Sequence, residues 1–247
     1  MVNLQSNIAK LRYWQEYTRL FLVNEVYMRT RMQKLLSRQY NAVAEDPQSV
    51  DARVDSFKGE LRNIIEESII RIATLYRPYA MQKIEDGTKS IEIKYDSQFW
   101  HSIREFAKNH AAERVTNIQS TTKKMLKRII ENALEDGLGY VGARKNIKDL
   151  AEIETEYRAA MIASTEIHSY TGESIDETMR VDGDMQEKEW LGAADERERP
   201  THVDANGQRV EMDEPFLVGD DELQYPGDPA GSAKEIIRCR CAALYYS

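Results

Sequence analysis

Between positions 3 and 45 the chain has neither proline nor glycine. Leu4, Ile8, Leu11, Trp14, Tyr17 and Phe21 recur every three or four residues, and Met28, Met32 and Leu35 resume the row after a polar gap at Asn24-Glu25. Side chains at that period share one face of an α-helix, so the spacing predicts a long amphipathic helix. At about 1.5 Å per residue such a helix would reach roughly 60 Å, long enough to need a bundle or a partner. Asp46-Pro47 closes it, because proline disfavours helical geometry in the residue before it. A second helix is predicted from about Val50 to Tyr76, with Val54, Phe57, Leu61, Ile64, Ile72 and Leu75 as its apolar row and Arg77-Pro78 as its end or kink. Ile84–Tyr95 alternates through Ile91, Ile93 and Tyr95 after an Asp86-Gly87 turn, as a short strand or extended loop would. A third long helix follows from about Ser97 to Leu134, capped by Asp96 or Ser97, with Phe99, Ile103, Phe106, Ile118, Met125, Ile129 and Ala133 as its stripe.

Gly137, Gly139 and Gly142 then interrupt the chain, and a hinge is expected over 137–150. A further helical segment begins near Ala143. Beyond Val181 the pattern changes. Apolar runs become short (Glu189–Leu191, Gln208–Val210, Pro215–Val218, Cys241–Tyr245) and Gly, Pro and Asp separate them, as in short strands joined by turns. The expected fold class is therefore α+β: a mostly helical region over 1–136, then a small α+β domain over 151–247.

Charge sharpens this division. The net charge is −8. Residues 151–247 hold 9 Lys+Arg against 23 Asp+Glu, a net of −14, which leaves the first 150 residues at +6. An acidic domain is repelled by nucleic acid, whereas Lys123, Lys124, Lys127 and Arg128, with Arg29, Arg31, Lys34, Arg38, Arg144, Lys145 and Lys148, could touch phosphates without reading sequence. The alternative is a solvated helix face. No run of eighteen apolar residues offers a membrane span, and the first residues lack a signal-peptide core, so synthesis in a cytoplasm is expected. Two cysteines are too few for a disulfide framework.

Candidate chemistry lies near the C-terminus. Cys239 and Cys241 would face one side of a strand over 236–245, and with His202 and Asp195 they could make a tetrahedral zinc site. Structural zinc sites usually separate their cysteines more widely, and buried thiols pack without metal, so a packed, reduced pair is the preferred reading and no cofactor is expected. An enzymatic reading makes His202 a general base oriented by Asp195 and acting on nucleotide or phosphate groups, but no nucleophile stands beside them. A structural reading instead pairs Arg197 or Arg199 with a carboxylate of the Glu166 helix. Tyr225-Pro226-Gly227-Asp228-Pro229 should be a rigid turn, with two fixed φ angles, one free glycine and an aspartate able to accept from backbone amides. Trp190, Phe216 and the segment from Cys239 to Leu244 are expected to share a core.

These residues carry a resemblance. Arg158, Ala163, Thr165 and Glu166, then Trp190, Asp195, Arg197, Arg199, His202, Gly207 and Val210, then Pro226, Gly227, Asp228, Pro229, Cys239, Arg240 and Cys241 resemble the three motifs of the phage Mu F-like head-morphogenesis family. Ser164 stands where Arg is expected, and Arg238 where Asn commonly precedes Cys-Arg-Cys. The resemblance implies a minor head protein of a tailed phage or prophage, without catalytic residues, present in few copies per virion. It implies a place in the phage head near the portal, with assembly in the host cytoplasm. It also implies association with the portal protein, and with capsid or scaffold proteins, in head assembly, DNA packaging or genome delivery, and the helical arm over 1–136, residues 1–45 foremost, is the expected portal contact. A second resemblance is weaker. Arg158, Ser164-Thr165 and Glu187-Lys188-Glu189 follow the order of residues in ADP-ribosyltransferases, which need them on separate strands around a nicotinamide pocket.

Overall fold

The computed structural model describes residues 7–85, 97–183 and 185–247. The fold is α+β and mostly helical. Four long helices dominate: α1 (Asn7–Glu45), α3 (Lys58–Glu85), α4 (Ser97–Glu135) and α5 (Gly139–Val181), with a one-and-a-half-turn α2 (Val50–Asp55) between the first two. The extended segment expected after α3 lies outside the described residues from position 86 on, as do Leu4 and the Asp96 cap.

The amphipathic rows predict the helices but misplace some of their inner faces. In α1 the buried row is Tyr13, Tyr17, Phe21, Met28, Met32, Leu35, Leu36, Tyr40 and Val43, while Leu11 is exposed. The polar gap does not break the helix. Asn24 is buried, donates from Nδ2 to Leu20 O at 2.8 Å and accepts from Arg71 Nε at 3.0 Å. In α4 the buried positions are Ala107, Leu126 and Ile130 rather than their neighbours Phe106, Met125 and Ile129.

The second predicted helix is two. A turn at Ser56-Phe57 separates α2 from α3, and α3 continues through Pro78 to Glu85. A proline inside a helix costs about 3 kcal/mol. Tertiary burial offsets it: Tyr76, Ala80 and Met81 are buried on either side. Arg77 stacks 4.3 Å above the Phe99 ring and pairs with Asp182 at 3.0 Å. The expected hinge contracts to a tight turn. Gly137 and Gly139 both take positive φ, which costs glycine little, and α5 already begins at Gly139, so Gly142 and 143–150 are helical.

The chain divides into two compact units that do not follow the boundary expected near 137–150. One contains Val26–Ser68 and Glu105–Ala163. Its core joins Tyr40, Val43, Val50, Val54, Leu126, Ile130, Ala143 and Ile147. Arg144 donates to Ala44 O at 2.9 Å and Glu45 O at 3.0 Å, which satisfies carbonyls at the C-terminal end of α1.

The other unit contains Met1–Glu25, Ile69–Arg104 and Ser164–Ser247. It holds a three-stranded antiparallel sheet of order β2-β1-β5, where β1 is Glu187–Leu191, β2 Arg209–Glu211 and β5 Ala242–Tyr246. Glu189 pairs with Leu244 and Trp190 with Ala243 in the β1–β5 register. A separate hairpin joins β3 (Phe216–Val218) to β4 (Asp221–Leu223) through Gly219, whose φ is +62°. Short helices α6 (Pro200–Ala205) and α7 (Ala233–Ile236) complete it. The expected core forms, with Trp190, Phe216, Cys239, Cys241 and Ala243 in one cluster with Val218 and Leu223. The start of α1 belongs to this unit as well. Tyr13 Oη donates to Ala243 O at 3.0 Å, Trp14 Nε1 to Arg240 O at 3.2 Å, and Lys10 pairs with Glu189.

Candidate functional site

The strand expected over 236–245 starts only at Ala242. Arg238 has φ +54°, a left-handed conformation that Asn adopts more readily than Arg. The Arg238 backbone N–H donates to Thr165 Oγ1 at 3.2 Å, so α5 holds the turn from which the two cysteines leave.

Cys239, Cys241 and His202 converge in the core of the sheet unit, all three buried, with their ligand-capable atoms within 4.8 Å of one another. His202 Nδ1 lies 3.3 Å from Cys241 Sγ and 3.7 Å from Cys239 Sγ. On the other side of the ring, Nε2 lies 3.2 Å from Glu235 Oε2, an ion-pair distance but off the line of a hydrogen bond. Thr201 Oγ1 donates to the same Glu235 oxygen at 2.8 Å. Trp190 meets the His202 ring edge-on, 5.5 Å between centres. Glu198 Oε1 is 3.8 Å from Cys241 Sγ, and its carboxylate accepts from the Ala193 and Ala194 amides at 3.0 and 2.8 Å. Gly192 makes this possible, since a Cβ there would stand 2.3 Å from Glu198 Oε1.

The two thiols titrate as a pair. The Cys239 thiol is pulled down despite its burial, by the Cys241 S–H and backbone amides, and Cys241 is correspondingly pushed up. Burial lowers His202, but the Cys241 sulfur and Glu235 outweigh it and leave its pKa raised.

Asp195 is not part of this cluster. Arg240 grips it through Nη1 and Nη2, the latter at 2.7 Å, and holds the carboxyl down at about 2. Asp195 therefore neither orients His202 nor completes the expected ligand set. The pairing expected with the Glu166 helix is also replaced: Arg199 donates to Ile237 O, exposed Arg197 lies 3.9 Å from Asp195, and Glu166 accepts from Tyr170 Oη at 3.1 Å.

The Tyr225–Pro229 turn is built as its residues suggest. Gly227 has φ +89°, and Asp228 accepts from the Gln224 and Ala230 amides at 2.8 and 2.9 Å. It seats on α5 through two close approaches. A Cβ on Gly227 would stand 2.5 Å from His168 Cδ2, and one on Gly172 would stand 2.5 Å from Tyr225 Cδ2. His168 is buried, shares a hydrogen bond with Tyr17 Oη at 3.1 Å, and is pushed down to about 3 by burial and by the charges of His202 and Arg240. It is therefore neutral.

The candidate phosphate contacts are partly neutralised within their own unit. Lys123 pairs with Asp55 at 2.7 Å and Lys127 with Asp51 at 2.8 Å, while Lys124 and Arg128 are exposed. Arg38 and Arg31 pair with Glu60 and Glu67 of α3. Arg158 is buried and donates to Thr122 Oγ1 at 3.0 Å. It shares helix α5 with Ser164 instead of facing it from a separate strand. Sequence reasoning missed Glu198, Glu235, Gly172 and Gly192. A glycine inside an otherwise helical stretch was the one available signal, for Gly172.

Residues 124–244 match the family model described as "Phage Mu protein F like protein". The chain is 30% identical over 119 residues to "NAD(+)--arginine ADP-ribosyltransferase EFV" of Enterococcus faecalis (strain ATCC 700802 / V583). That alignment takes in 47% of this chain and 24% of the other protein, so the chain spans about a quarter of that relative's length. No solved structure matches. No described helix is long and apolar enough to cross a membrane. Residues 124–244, in which α5 holds the cysteine turn and α6 carries His202, are thus similar to the phage Mu protein F like family, a family of phage head morphogenesis.

Proposed function

We propose that the protein is a minor head protein of a tailed phage or prophage that associates with the portal and assists head assembly, DNA packaging or genome delivery, in the virion and not as an enzyme. The family match over 124–244 carries this reading. Physical support comes from α5, where Leu150, Ile153 and Tyr157 are exposed. They follow one another at helical spacing, and an exposed apolar row of that kind marks an interaction face. The expectation that residues 1–45 dock the portal as a detachable arm is harder to support. Tyr13 and Trp14 bond to the last strand and its lead-in, so their removal would damage the sheet unit. DNA contact through Lys124 and Arg128 remains a secondary proposal, since Lys123 and Lys127 are already paired.

Point substitutions test the portal reading better than truncation. Ile153→Asp with Tyr157→Asp should abolish co-purification with the portal of the same phage and incorporation into heads, while circular dichroism stays unchanged. Normal incorporation of a folded double variant would rule out this face.

The transferase name of the Enterococcus relative suggests a second reading. Arg158 is held by Thr122 on the same helix as Ser164, so this pair does not face across a site from separate strands. Release of nicotinamide from NAD by the purified chain would reverse this judgement.

A further inference from the structure

Among the described residues, one cluster has the make-up of a metal centre, and the head-assembly role makes no use of it. His202, Cys239 and Cys241 are all buried and present one imidazole nitrogen and two sulfurs to a common point. Zinc bonds of about 2.0–2.1 Å to nitrogen or oxygen and about 2.3 Å to sulfur, at the tetrahedral angle, place neighbouring ligand atoms roughly 3.5–3.8 Å apart. The observed separations are 3.3 and 3.7 Å from His202 Nδ1 to the two sulfurs, and 3.8 Å from Cys241 Sγ to Glu198 Oε1. The two nitrogen–sulfur edges thus have nearly the lengths of a zinc tetrahedron, whereas Glu198 stands beside Cys241 and outside the group of three whose ligand atoms lie within 4.8 Å of one another.

The surroundings hold the donors in place. Glu198 is fixed by the Ala193 and Ala194 amides, with Ala194 in a left-handed conformation at φ +53°, and it occupies space that only a glycine at 192 leaves open. Behind the imidazole, Glu235 lies 3.2 Å from Nε2 and is itself held by Thr201. A carboxylate behind a ligating histidine is a recurrent outer partner that fixes the ring's tautomer and raises its basicity. Cysteines one residue apart are closer than usual in structural zinc sites. The left-handed Arg238 and the non-strand segment before β5 still turn both sulfurs to one side.

We propose that His202, Cys239 and Cys241 bind a zinc ion, with water at the fourth position and Glu235 as the orienting partner of the histidine. On binding, both thiols give up their protons to solvent and the ion is held by two thiolates and a neutral imidazole, with water completing its coordination. The ion would tie α6 to the segment before β5, which is a structural role. The packed thiol pair preferred from spacing accounts for the burial, but it gives no reason for Glu235 to be held by Thr201 behind the His202 ring.

The test uses the full chain, purified without a metal-affinity tag under reducing conditions. Elemental analysis should find one zinc per chain. Replacement by Co2+ should give the thiolate-to-cobalt charge-transfer band and the intense visible bands of a tetrahedral centre, a readout that needs no variant. Cys239→Ser and Cys241→Ser should each lose the ion. Glu235→Gln should bind it about 10–100-fold more weakly. A reduced, folded chain that takes up neither zinc nor cobalt overturns the proposal. So does a Cys239–Cys241 disulfide in the freshly purified protein, or full zinc retention in both serine variants.

Discussion

Trp190 is the sharpest probe of the sheet unit. It is fully buried in β1, edge-on to Phe216 at 5.4 Å and to His202 at 5.5 Å between ring centres. A buried tryptophan removes about 150–250 Å² from water, worth about 4–6 kcal/mol at roughly 25 cal/mol/Å². Alanine keeps a small part of that, so Trp190→Ala should destabilise by about 3–5 kcal/mol, the usual range for large aromatic truncations. Its indole N–H meets no acceptor among the described residues. Leaving a buried donor unpaired costs about 1–3 kcal/mol, and phenylalanine removes that donor. Trp190→Phe should therefore lose only about 1–2 kcal/mol or less, because relief of the unpaired donor offsets part of the lost area. Urea unfolding followed by near-ultraviolet circular dichroism measures both variants. Equal losses for Ala and Phe would mean that the indole N–H is satisfied and the area argument incomplete. A loss under about 1 kcal/mol for Ala would mean that this core is not closed.

Two glycines should respond with opposite signs. Gly172→Ala should destabilise by about 1–2 kcal/mol, because overpacking against Tyr225 and the Pro226 carbonyl exceeds the gain of about 1 kcal/mol in helix propensity. Gly59→Ala, exposed in the first turn of α3 with nothing within 4 Å, should stabilise by about 0.5–1 kcal/mol, and thermal melting of both variants checks the contrast. Burial, with Asp176, Glu177 and Asp228 nearby, pushes Glu173 up to about 7. A raised carboxyl binds its proton more tightly in the folded state. Its contribution to stability is therefore full below about pH 4.3 and is lost as pH rises toward 7. Glu173→Gln should remove that decline, raising Tm at pH 8 but not at pH 4; a parallel shift at both values would refute the assignment.

Local features made much of this protein legible in its sequence. Helices α1 and α4 follow from runs without proline or glycine carrying apolar residues every three or four positions. Four of the five short strands among the described residues follow from apolar runs bounded by turn residues. The Tyr225–Pro229 turn and the shared burial of Trp190, Phe216 and the cysteines were also visible. The elements and the turn depend on residues within a few positions of one another, whose spacing backbone geometry dictates, and the burial of Trp190, Phe216 and the cysteines follows from their residue types. Tertiary structure decided the rest. It set whether Leu11 or Tyr13 faced inward, since a half-turn ambiguity in an amphipathic row is resolved only by what the row packs against. It carried α3 through Pro78, because burial around Tyr76 and the Arg77–Asp182 pair outweighs a local penalty. It gave Asp195 to Arg240, forty-five positions away, and brought His202 to sulfurs 37 and 39 positions away. Electrostatic and packing partners at such separations are chosen by the path of the whole chain, and no local period records them.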